Sequence, residues 1–470
     1  MVVEAWLERA AASRPGAPAL DTPRGGCSYA QLRDRARAGA AELAARGATP
    51  GERVAIALPA GPELAYALHA CLLLGAVAVP VDLRLGERER RAIADGAAVV
   101  VDEPLHADTA RGLLAKPKRS LPTDPEGSPP ARPRGGLPVK PVHDLDAVAA
   151  VIHTSGTTSA PKPVELTFGN FLWSALGSAV ALGLDPQERW LCNLPLSHVG
   201  GLSILLRSAI YGTTAVIHER FDTELTLAAL AAPAGSRGSA TLVSLVATTL
   251  ARLLDAGLER PPALRCALTG GGPVPSALVA RARAAGIPVS LTYGLTEACS
   301  QVTTLPPSAA QDVTPTAGPP LFCTRVRVAP EGEIEVAGPT LARGVAGPDG
   351  WLRTGDLGRL NGEGSLEVTG RKSDTIVSGG ENVAPAEVEA VLEEHPEVLE
   401  AAVVGRADER WGEAVTALVV TRAGTAVDER ELREHCAGRL APYKVPKRVV
   451  TIAGPLPRTG SGKLLRRELT

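Results

Sequence analysis

The sequence lacks the features that mark several large classes of protein. Its 49 basic and 51 acidic side chains give a formal net charge of −2, so no broad electrostatic case for a nucleic-acid partner exists. The seven cysteines are scattered, none forms a C-x-x-C pair, and their number is odd. This usage favours reduced thiols in a cytoplasmic protein over disulfides or a zinc site.

Targeting and membrane signals are missing as well. Residues 1–20 contain early acidic side chains and no apolar core of the kind that a secretory signal peptide needs. One membrane-like stretch, residues 64–81, contains His69 and Pro80 and is interrupted by Gly75. We predict a buried helix, a turn at Gly75 and a strand there, without membrane insertion.

Apolar runs of strand length alternate with helix-like stretches through residues 147–293. This order is typical of βαβ units and of mainly parallel sheets, in which ligands bind beyond the carboxyl ends of the strands. We therefore expect ligand-binding residues in the loops that follow Ile152, Pro195, Leu268 and Thr292.

The pattern changes near residue 371, where short strands, a hairpin and a capped helix begin. About a hundred residues of this kind make a small α+β domain of ordinary size. The predicted fold class is α/β. A large N-terminal domain, residues 1–372, has mainly parallel sheets, flanking helices and a small β-rich part, and a small mobile α+β domain spans residues 373–470.

The stretch HTSGTTSAPKP, residues 153–163, follows a predicted strand and has little side-chain bulk. Backbone amides freed by small residues can form an anion nest, the hydroxyls of Ser155, Thr157 and Thr158 can donate hydrogen bonds, and Lys162 adds charge. The stretch does not match the nucleotide P-loop, because Pro161 stands where the second glycine belongs. From these residues alone, a phosphate cradle and a surface connection are equally open.

Four further stretches contain candidate site residues, each with a structural alternative. In YGLTE, Glu297 can reach a Mg²⁺ held by a triphosphate, or Thr296 and Glu297 can cap a helix. In TGDLG, Asp356 is predicted in a tight turn, where it can accept two ribose hydroxyls or only support the turn. Arg371 in GRKSD can hold ribose or phosphate, or form a surface salt bridge. Lys463 in TGSGK is either a functional cation or part of a solvated basic tail.

Together and in this order, TSGTT…PK, YGLTE, RTGDLG, GRKSD…GGENVAPAEVE and TGSGK resemble the motifs of the adenylate-forming superfamily. That superfamily includes acyl-CoA synthetases, the adenylation domains of peptide synthetases, and luciferase. Each motif alone is weak, but the set is specific and spans nearly the whole chain. The resemblance implies an AMP-forming acid–thiol ligase. A carboxylate attacks the α-phosphorus of MgATP to give acyl-AMP and pyrophosphate, and the thiol of CoA then displaces AMP.

The resemblance also implies a role for each matching position. Residues implied at the ATP phosphates are Thr154, Ser155, Gly156, Thr157, Thr158 and Lys162; those at the adenine are Gly270, Gly271, Gly272, Tyr293 and Gly294; those at the ribose are Asp356 and Arg371. Thr296 would contact the α-phosphate, Glu297 would bind Mg²⁺, and Lys463 would bring a positive charge from the small domain. Rotation of that domain about Ser373 would then replace Lys463 by the loop containing Gly379, Gly380 and Glu381 for the thiol step.

Three positions depart from the superfamily pattern. Ser159 stands where glycine is usual and carries a steric cost if its φ is positive. Pro163 follows Lys162 where glycine is common; it removes an N–H and biases Lys162 toward an extended conformation. We therefore expect a stiffer phosphate loop. Ser373 replaces the usual Asp or Lys, which leaves the behaviour of the hinge open.

Residues 167–212 are more specific about the acid. NFLWSA, PLSHVGGLSILLRS and RSAIYG resemble the o-succinylbenzoate–CoA ligases of menaquinone biosynthesis. This resemblance implies that His198 closes over an acyl site lined by Ser197 and Gly200. Arg84 and Arg207 are candidates for binding a second carboxylate. The alternatives are a packed histidine at a strand end and arginines without a substrate role.

Other functions stay open at this point. The chain can be a CoA ligase for another aromatic or aliphatic acid, a stand-alone adenylation protein that loads a carrier protein, or a degenerate nucleotide-binding protein. Retention of Glu297, Asp356, Arg371 and Lys463 argues against the last. The expected ligands are a small carboxylic acid, ATP with Mg²⁺, and CoA, and the oligomeric state is left open.

Overall fold

The computed structural model describes residues 1–105, 139–154, 162–309, 316–422, 425, 427–458 and 464–469. The chain divides into two compact units. The first comprises residues 1–175 and 185–220, and the second comprises residues 176–184 and 221–470. The boundary that we predict between residues 372 and 373 lies within the second unit, and it stays a prediction.

The first unit is built from short strands and longer helices. Its strands are β1 (Val2–Glu4), β2 (Pro18–Thr22), β3 (Gly25–Ser28), β4 (Arg53–Ile56), β5 (Val77–Pro80), β6 (Val99–Val101), β7 (Val142–Asp144), β8 (Val148–Thr154), β9 (Lys162–Thr167), β10 (Arg189–Cys192) and β11 (Thr214–Ile217). Its helices are α1 (Trp6–Ser13), α2 (Tyr29–Ala45), α3 (Pro62–Leu74), α4 (Glu87–Ala94) and α6 (Val199–Tyr211), and α5 (Phe168–Leu182) begins here and ends in the second unit.

One sheet of the first unit has the order β6-β4-β5-β8-β9. Strands β4, β5, β6 and β8 pair in parallel. Strand β9 is antiparallel to β8, so that Lys162 lies opposite Thr154. The carboxyl ends of β5 and β8 therefore lie at one edge of this sheet, and residues 81–84 leave the sheet at that edge.

A second group of strands in this unit has the order β10-β11-β2-β3, with β10, β11 and β2 parallel and β3 antiparallel to β2. Tyr29 begins α2 and is buried, and its single O–H is shared between two carbonyl oxygens, those of Ser208, at 2.7 Å, and Thr213. Ser28 caps α2 in a capping box with Gln31, which satisfies two otherwise orphaned backbone amides.

The membrane-like stretch of the sequence is a helix, a turn and a strand, as predicted. Helix α3 ends at Leu74, and its C-cap residue Gly75 has a φ of 77°, in the left-handed region that glycine adopts without strain. Strand β5 follows in the interior of its sheet. Throughout the described ranges, no helix combines the length and the apolar character that a membrane crossing requires.

The second unit contains three groups of strands. They are β12 (Leu242–Leu245), β13 (Cys266–Thr269), β14 (Val289–Leu295), β15 (Ser300–Thr304), β16 (Arg325–Val328), β17 (Glu333–Ala337), β18 (Leu352–Leu360), β19 (Leu366–Arg371), β20 (Ile376–Ser378), β21 (Glu381–Val383), β22 (Val398–Asp408), β23 (Gly412–Thr421) and β24 (Arg448–Thr451). Its helices are α7 (Thr223–Ala231), α8 (Ala247–Asp255), α9 (Ser276–Ala284), α10 (Pro385–Glu393) and α11 (Glu429–Ala437), with short 3₁₀ helices at Thr296–Ala298, Lys372–Asp374 and Arg466–Glu468.

Strands β12, β13 and β14 are parallel neighbours, and β15 returns antiparallel to β14. Strands β16 to β19 form an antiparallel sheet, which is the small β-rich part of the prediction. The order of the last sheet is β21-β20-β23-β22, with β24 parallel to β23. Helices α10 and α11 cover this sheet over a core that includes Val388, Leu392 and Leu432.

Candidate active site

A tyrosine, an aspartate and an arginine meet in the second unit. Asp356 on β18 lies opposite Arg371 on β19, and the Arg371 Nε donates to Asp356 Oδ1 at 2.8 Å. The Tyr293 hydroxyl, on β14, donates to Asp356 Oδ2 at 2.9 Å. Each carboxylate oxygen has two lone pairs and uses one of them here, so one acceptor position remains on each oxygen. The Asp356 carboxylate can therefore accept two further hydrogen bonds from a diol.

The position of Asp356 corrects one prediction. It lies within strand β18 and not in a tight turn. The turn-like sequence has a different cause: Gly355 adopts a φ of 74° inside the strand, and the ladder shifts register between Leu357 and Gly358. The Gly355 amide donates to Glu333 at 3.0 Å. This irregularity re-aims a side chain in the way that strand bulges do near ligand sites.

Burial and charge within the cluster keep both hydrogen-bond donors, Tyr293 and Arg371, protonated. Burial, reinforced by the charge of Asp356, raises the pKa of Tyr293, so its hydroxyl stays protonated at neutral pH. Burial works to lower the pKa of Arg371, but the hydrogen bond and charge of Asp356 outweigh it and leave that pKa raised. Only 14% of the Asp356 side chain is exposed, so the group is largely shielded from competing water.

Glycine is required where the ends of β13 and β14 meet. A Cβ on Gly270 would lie 2.5 Å from the Thr292 carbonyl oxygen and 2.7 Å from Thr292 Cγ2. Gly271 has a φ of 81°, and a Cβ on Gly272 would have no neighbour within 4 Å. After β13 the backbone at Gly270 therefore packs directly against Thr292 of β14. At Gly272 it borders open space, and this space suits the close approach of a flat ligand.

Thr296 and Glu297 lie in a 3₁₀ turn after β14. Leu295 occupies the N-cap position and makes no side-chain capping bond, so the alternative of a Thr296–Glu297 helix cap is not seen. The Glu297 backbone carbonyl accepts from the Ala342 amide at 2.8 Å, which fixes the turn. Among the residues that the structure describes, no group donates to the Glu297 carboxylate.

An uncompensated carboxylate fits the predicted Mg²⁺ contact, because Mg²⁺ prefers oxygen ligands and is usually bound by one or two carboxylates together with substrate phosphates. Over the described ranges, no group of three His, Cys, Asp or Glu side chains could hold a metal ion by itself.

In the first unit the structure brings Arg84 and His198 together. Their Nη2 and Nε2 atoms are 3.2 Å apart. Asp82 joins them: it accepts from Arg84 Nε at 2.8 Å and its Oδ2 lies 3.7 Å from His198 Nε2. Burial works to raise the pKa of Asp82, but the hydrogen bonds and charge of Arg84 leave it lowered. His198 is the N-cap residue of α6, Ser197 precedes it, and Gly200 lies in the first turn of the helix.

Arg207, the other candidate for the second carboxylate, has a different setting. It is 3% exposed, donates to Ser174 Oγ at 2.9 Å, and lies over the Trp190 ring with its Cζ 5.6 Å from the ring centroid. Arg207, packed in this way, suits a structural role. Arg84, whose side chain is 42% exposed, is more accessible to a ligand.

Several predicted residues fall at the ends of undescribed segments or inside them. Thr154 and Lys162 pair across β8 and β9, with the Thr154 hydroxyl 3.4 Å from the Lys162 carbonyl oxygen. Lys162 opens a strand, which confirms the extended conformation predicted from Pro163. The remaining predicted residues Ser155, Gly156, Thr157, Thr158, Ser159 and Lys463 lie outside the described residues.

The predicted hinge and loop of the small domain are well defined locally. Ser373 lies in the 3₁₀ turn Lys372–Asp374, where its hydroxyl donates to Asp374 at 3.0 Å. Gly379 and Gly380 form the tight turn between β20 and β21, with φ values of 62° and 86°. Glu381 follows the turn as the first residue of β21.

Sequence reasoning missed Asp82 and Glu333. Asp82 orients Arg84 and His198, and its spacing of two residues from Arg84 was the available signal. Glu333 is 5% exposed. Its carboxylate accepts from the Gly355 amide and from Lys372 Nζ, which lies 3.0 Å from Oε2. No local pattern marks Glu333, because its partners come from β18 and from the 3₁₀ turn Lys372–Asp374.

The comparisons with known proteins agree with this geometry. The family model for AMP-binding enzymes matches residues 7–345, and the model for the AMP-binding enzyme C-terminal domain matches residues 387–463. The chain therefore belongs to the AMP-binding enzyme family, as its motifs predicted. The fold class is confirmed too, since solved structures of this family match the whole chain.

Among its relatives are 2-succinylbenzoate–CoA ligases. The chain is 38% identical over 485 residues to that of Bacillus subtilis (strain 168), which covers 99% of this chain and 97% of the relative. It is 39% identical to that of Geobacillus kaustophilus, with 99% and 96% covered. The structure of o-succinylbenzoate CoA synthetase from Bacillus subtilis in complex with the acyl-adenylate intermediate matches with a TM-score of 0.85 and 36% identity, covering 100% of this chain and 98% of that one. The same enzyme in complex with ATP and magnesium ion matches with a TM-score of 0.84.

Proposed function

We propose that the protein activates 2-succinylbenzoate with MgATP as an acyl-adenylate and transfers the acyl group to CoA. The structural observation that carries the nucleotide part is the Asp356 carboxylate with one free acceptor position on each oxygen. The acid is inferred from the relatives, whose similarity extends over nearly the full length of both chains.

The ribose of ATP binds Asp356 through its two hydroxyls. Tyr293 and Arg371 hold the carboxylate from the protein side, so little reorganisation is needed when the ligand arrives. The adenine lies along Gly271 and Gly272, where the chain leaves open space. The phosphates bind the loop from Thr154 to Lys162.

Glu297 supplies the protein's contact to the Mg²⁺ that accompanies ATP, and that cation offsets charge on the phosphates. Lys463 adds a second positive charge at the α-phosphate, and Thr296 hydrogen-bonds there. Aligning two anions, a carboxylate and a phosphate, is the main task of this chemistry, and fixed positive groups perform it.

The small domain, residues 373–470, then turns about Ser373. Lys463 leaves and the loop around Gly379, Gly380 and Glu381 takes its place beside the thiol. Two adjacent glycines with positive φ let the backbone of this loop come close to a ligand. The division into residues 1–372 and 373–470 is part of this proposal.

His198 closes the acyl site, with Ser197 and Gly200 beside it. Arg84 binds the second carboxylate of the acid, because it lies next to His198 and is more exposed than Arg207. Asp82 keeps Arg84 in place until the substrate shares its guanidinium. The reaction belongs in the cytoplasm, in keeping with the seven cysteines, all of them unbridged thiols, and the ligands are small molecules rather than nucleic acid.

A competition of acids tests the proposal. With MgATP and CoA, 2-succinylbenzoate should give its CoA ester with a higher kcat/KM than benzoate or a medium-chain fatty acid, because a site built to pair a second carboxylate rejects acids that lack one. Arg84→Met should reduce that preference, whereas Arg88→Met, an exposed arginine on α4, should not. A higher kcat/KM for the fatty acid would refute the assigned substrate.

A further inference from the structure

Arg466 forms a partly buried ion pair with two carboxylates of the C-terminal region. It opens the 3₁₀ turn Arg466–Glu468, three residues after Lys463, and its side chain is 20% exposed. Its Nη2 donates to Glu389 Oε2 at 2.9 Å, and its Nη1 donates to the other oxygen of the same carboxylate. The Nη1 also reaches the Val403 carbonyl oxygen at 3.1 Å, and the Nε reaches Asp374 at 3.2 Å.

The partners of Arg466 belong to two different parts of the second unit. Glu389 lies on α10, is 8% exposed, and also accepts from the Val403 amide at 2.7 Å, so it is part of the body that α10 and β22 form. Asp374 ends the hinge turn and accepts the hydroxyl hydrogen of Ser373. One guanidinium therefore joins the segment after Lys463 to the body of the small domain and to the hinge.

Apolar packing already holds the same segment to the sheet. Leu464 and Leu469 pack with Ala402, Val404, Leu418, Val420 and Leu456. Leu464 forms a bridge with Arg458, and the Leu465 amide donates to the Pro457 carbonyl oxygen at 2.8 Å. Docking of the segment therefore does not depend on Arg466 alone, and the contact with Asp374 adds a link that packing does not provide.

We infer that Arg466 is a positioning residue for Lys463: by binding Asp374 and Glu389 together, it fixes residues 464–469, the segment that follows the lysine in the chain, relative to the hinge turn Lys372–Asp374. This inference rests on the proposed function. Burial works to lower the pKa of Arg466, but Glu389 and Asp374 leave it raised, so the guanidinium is charged at every pH of interest. A bidentate pair also fixes orientation, which a single contact does not.

The variants separate positioning from stability. Asp374→Asn removes the charge at the hinge and leaves the buried Glu389 pair intact, so it should fold even if Arg466→Met does not. Arg466→Lys keeps the charge without the planar fork. Arg467→Met changes the exposed neighbour and is the matched control.

Two half-reactions are measured for each variant: pyrophosphate release from MgATP with 2-succinylbenzoate, and thioester formation from preformed acyl-adenylate with CoA. In Arg466→Met and Asp374→Asn the kcat of adenylation should fall by about 10- to 100-fold, the scale of one lost charge-assisted contact, with the KM for ATP within about twofold. Thioester formation should stay near the parent rate. Arg466→Lys should recover part of the loss, and Arg467→Met should match the parent.

A double-mutant cycle gives the decisive result. If Arg466 acts through the lysine, Arg466→Met or Asp374→Asn should cause no further loss in a Lys463→Ala background. Additive losses, or equal slowing of both half-reactions, would overturn the inference and leave Arg466 as an ordinary structural ion pair. If the parent protein releases no pyrophosphate with any acid, the proposed function fails instead, and the two failures are distinguishable.

Discussion

Replacing Asp356 by asparagine tests the ribose site with little change in shape. The carboxylate now accepts from Tyr293 at 2.9 Å and from Arg371 at 2.8 Å, one donor on each oxygen. An amide keeps one acceptor oxygen and turns the other into a donor, so it cannot satisfy both protein donors and both ribose hydroxyls. At least one charge-assisted hydrogen bond to the ligand is lost.

The size of the effect follows from that loss. A hydrogen bond to a charged group contributes about 1.5–3 kcal/mol, which corresponds to about 10- to 150-fold in the Kd. We expect Asp356→Asn to weaken AMP binding by a factor in this range, measured by isothermal titration calorimetry. The drop in adenylation kcat/KM should be at least as large, because ribose binding persists in the transition state.

A second ion pair on the same two strands provides the control. Arg359 and Glu367 lie opposite each other on β18 and β19, and the Nε of Arg359 is 2.7 Å from Glu367. Glu367→Gln makes the same chemical change away from the cluster and should leave the AMP affinity unaltered. If Asp356→Asn binds AMP within twofold of the parent, or if both variants weaken binding equally, the ribose assignment is wrong.

Three other variants test separate parts of the account. Burial, with the charge of Glu389, raises the pKa of Glu393 from its ordinary 4.5 to about 7. Between these pH values the folded state binds more protons than the unfolded state, so the free energy of unfolding should fall as the pH rises, by up to about 1.4 kcal/mol per pH unit. In urea unfolding, the free energy of unfolding of Glu393→Gln should depend less on pH than that of the parent. Lys463→Ala should lose adenylate formation by about 10²–10³-fold yet convert preformed acyl-adenylate and CoA at near the parent rate; equal losses would contradict the domain rotation. Gly270→Ala should lower the melting temperature, because the new Cβ would lie 2.5 Å from the Thr292 carbonyl oxygen, and the free energy of unfolding should fall by about 1–3 kcal/mol. Gly272→Ala should leave the melting temperature unchanged, because a Cβ there would have no neighbour within 4 Å.

Local signals predicted much of the fold. The turn at Gly75, between α3 and β5, was predicted from a glycine between an apolar helix and an apolar strand. The parallel pairing of β12, β13 and β14 followed from the alternation of strands and helices. Such signals are local, and each can be read without knowing what lies opposite.

Features that depend on partners far along the chain were not predictable. Residues 153–163 were left open between a phosphate cradle and a surface connection, and strand β9, which begins at Lys162 and Pro163, was not predicted; it lies at the edge of its sheet, where a missing N–H is tolerated. Asp356 was expected in a turn because Gly355 precedes it, and pairing with β17 and β19 placed it in a strand. The same limit applies to the site: motif order identified Tyr293, Asp356 and Arg371, but not Glu333, whose partners come from β18 and the start of the hinge.

The central claim is that the acid is activated through an acyl-adenylate, and oxygen transfer tests it most directly. The protein would be incubated with MgATP, CoA and 2-succinylbenzoate carrying ¹⁸O in its carboxylates, and the nucleotide product analysed by mass spectrometry. Attack of the carboxylate on the α-phosphorus, followed by thiol attack on the carbonyl carbon, leaves one carboxylate oxygen in AMP. The account predicts AMP with a single ¹⁸O in its phosphate and one CoA ester per AMP. Formation of ADP, or AMP without the label, would contradict it.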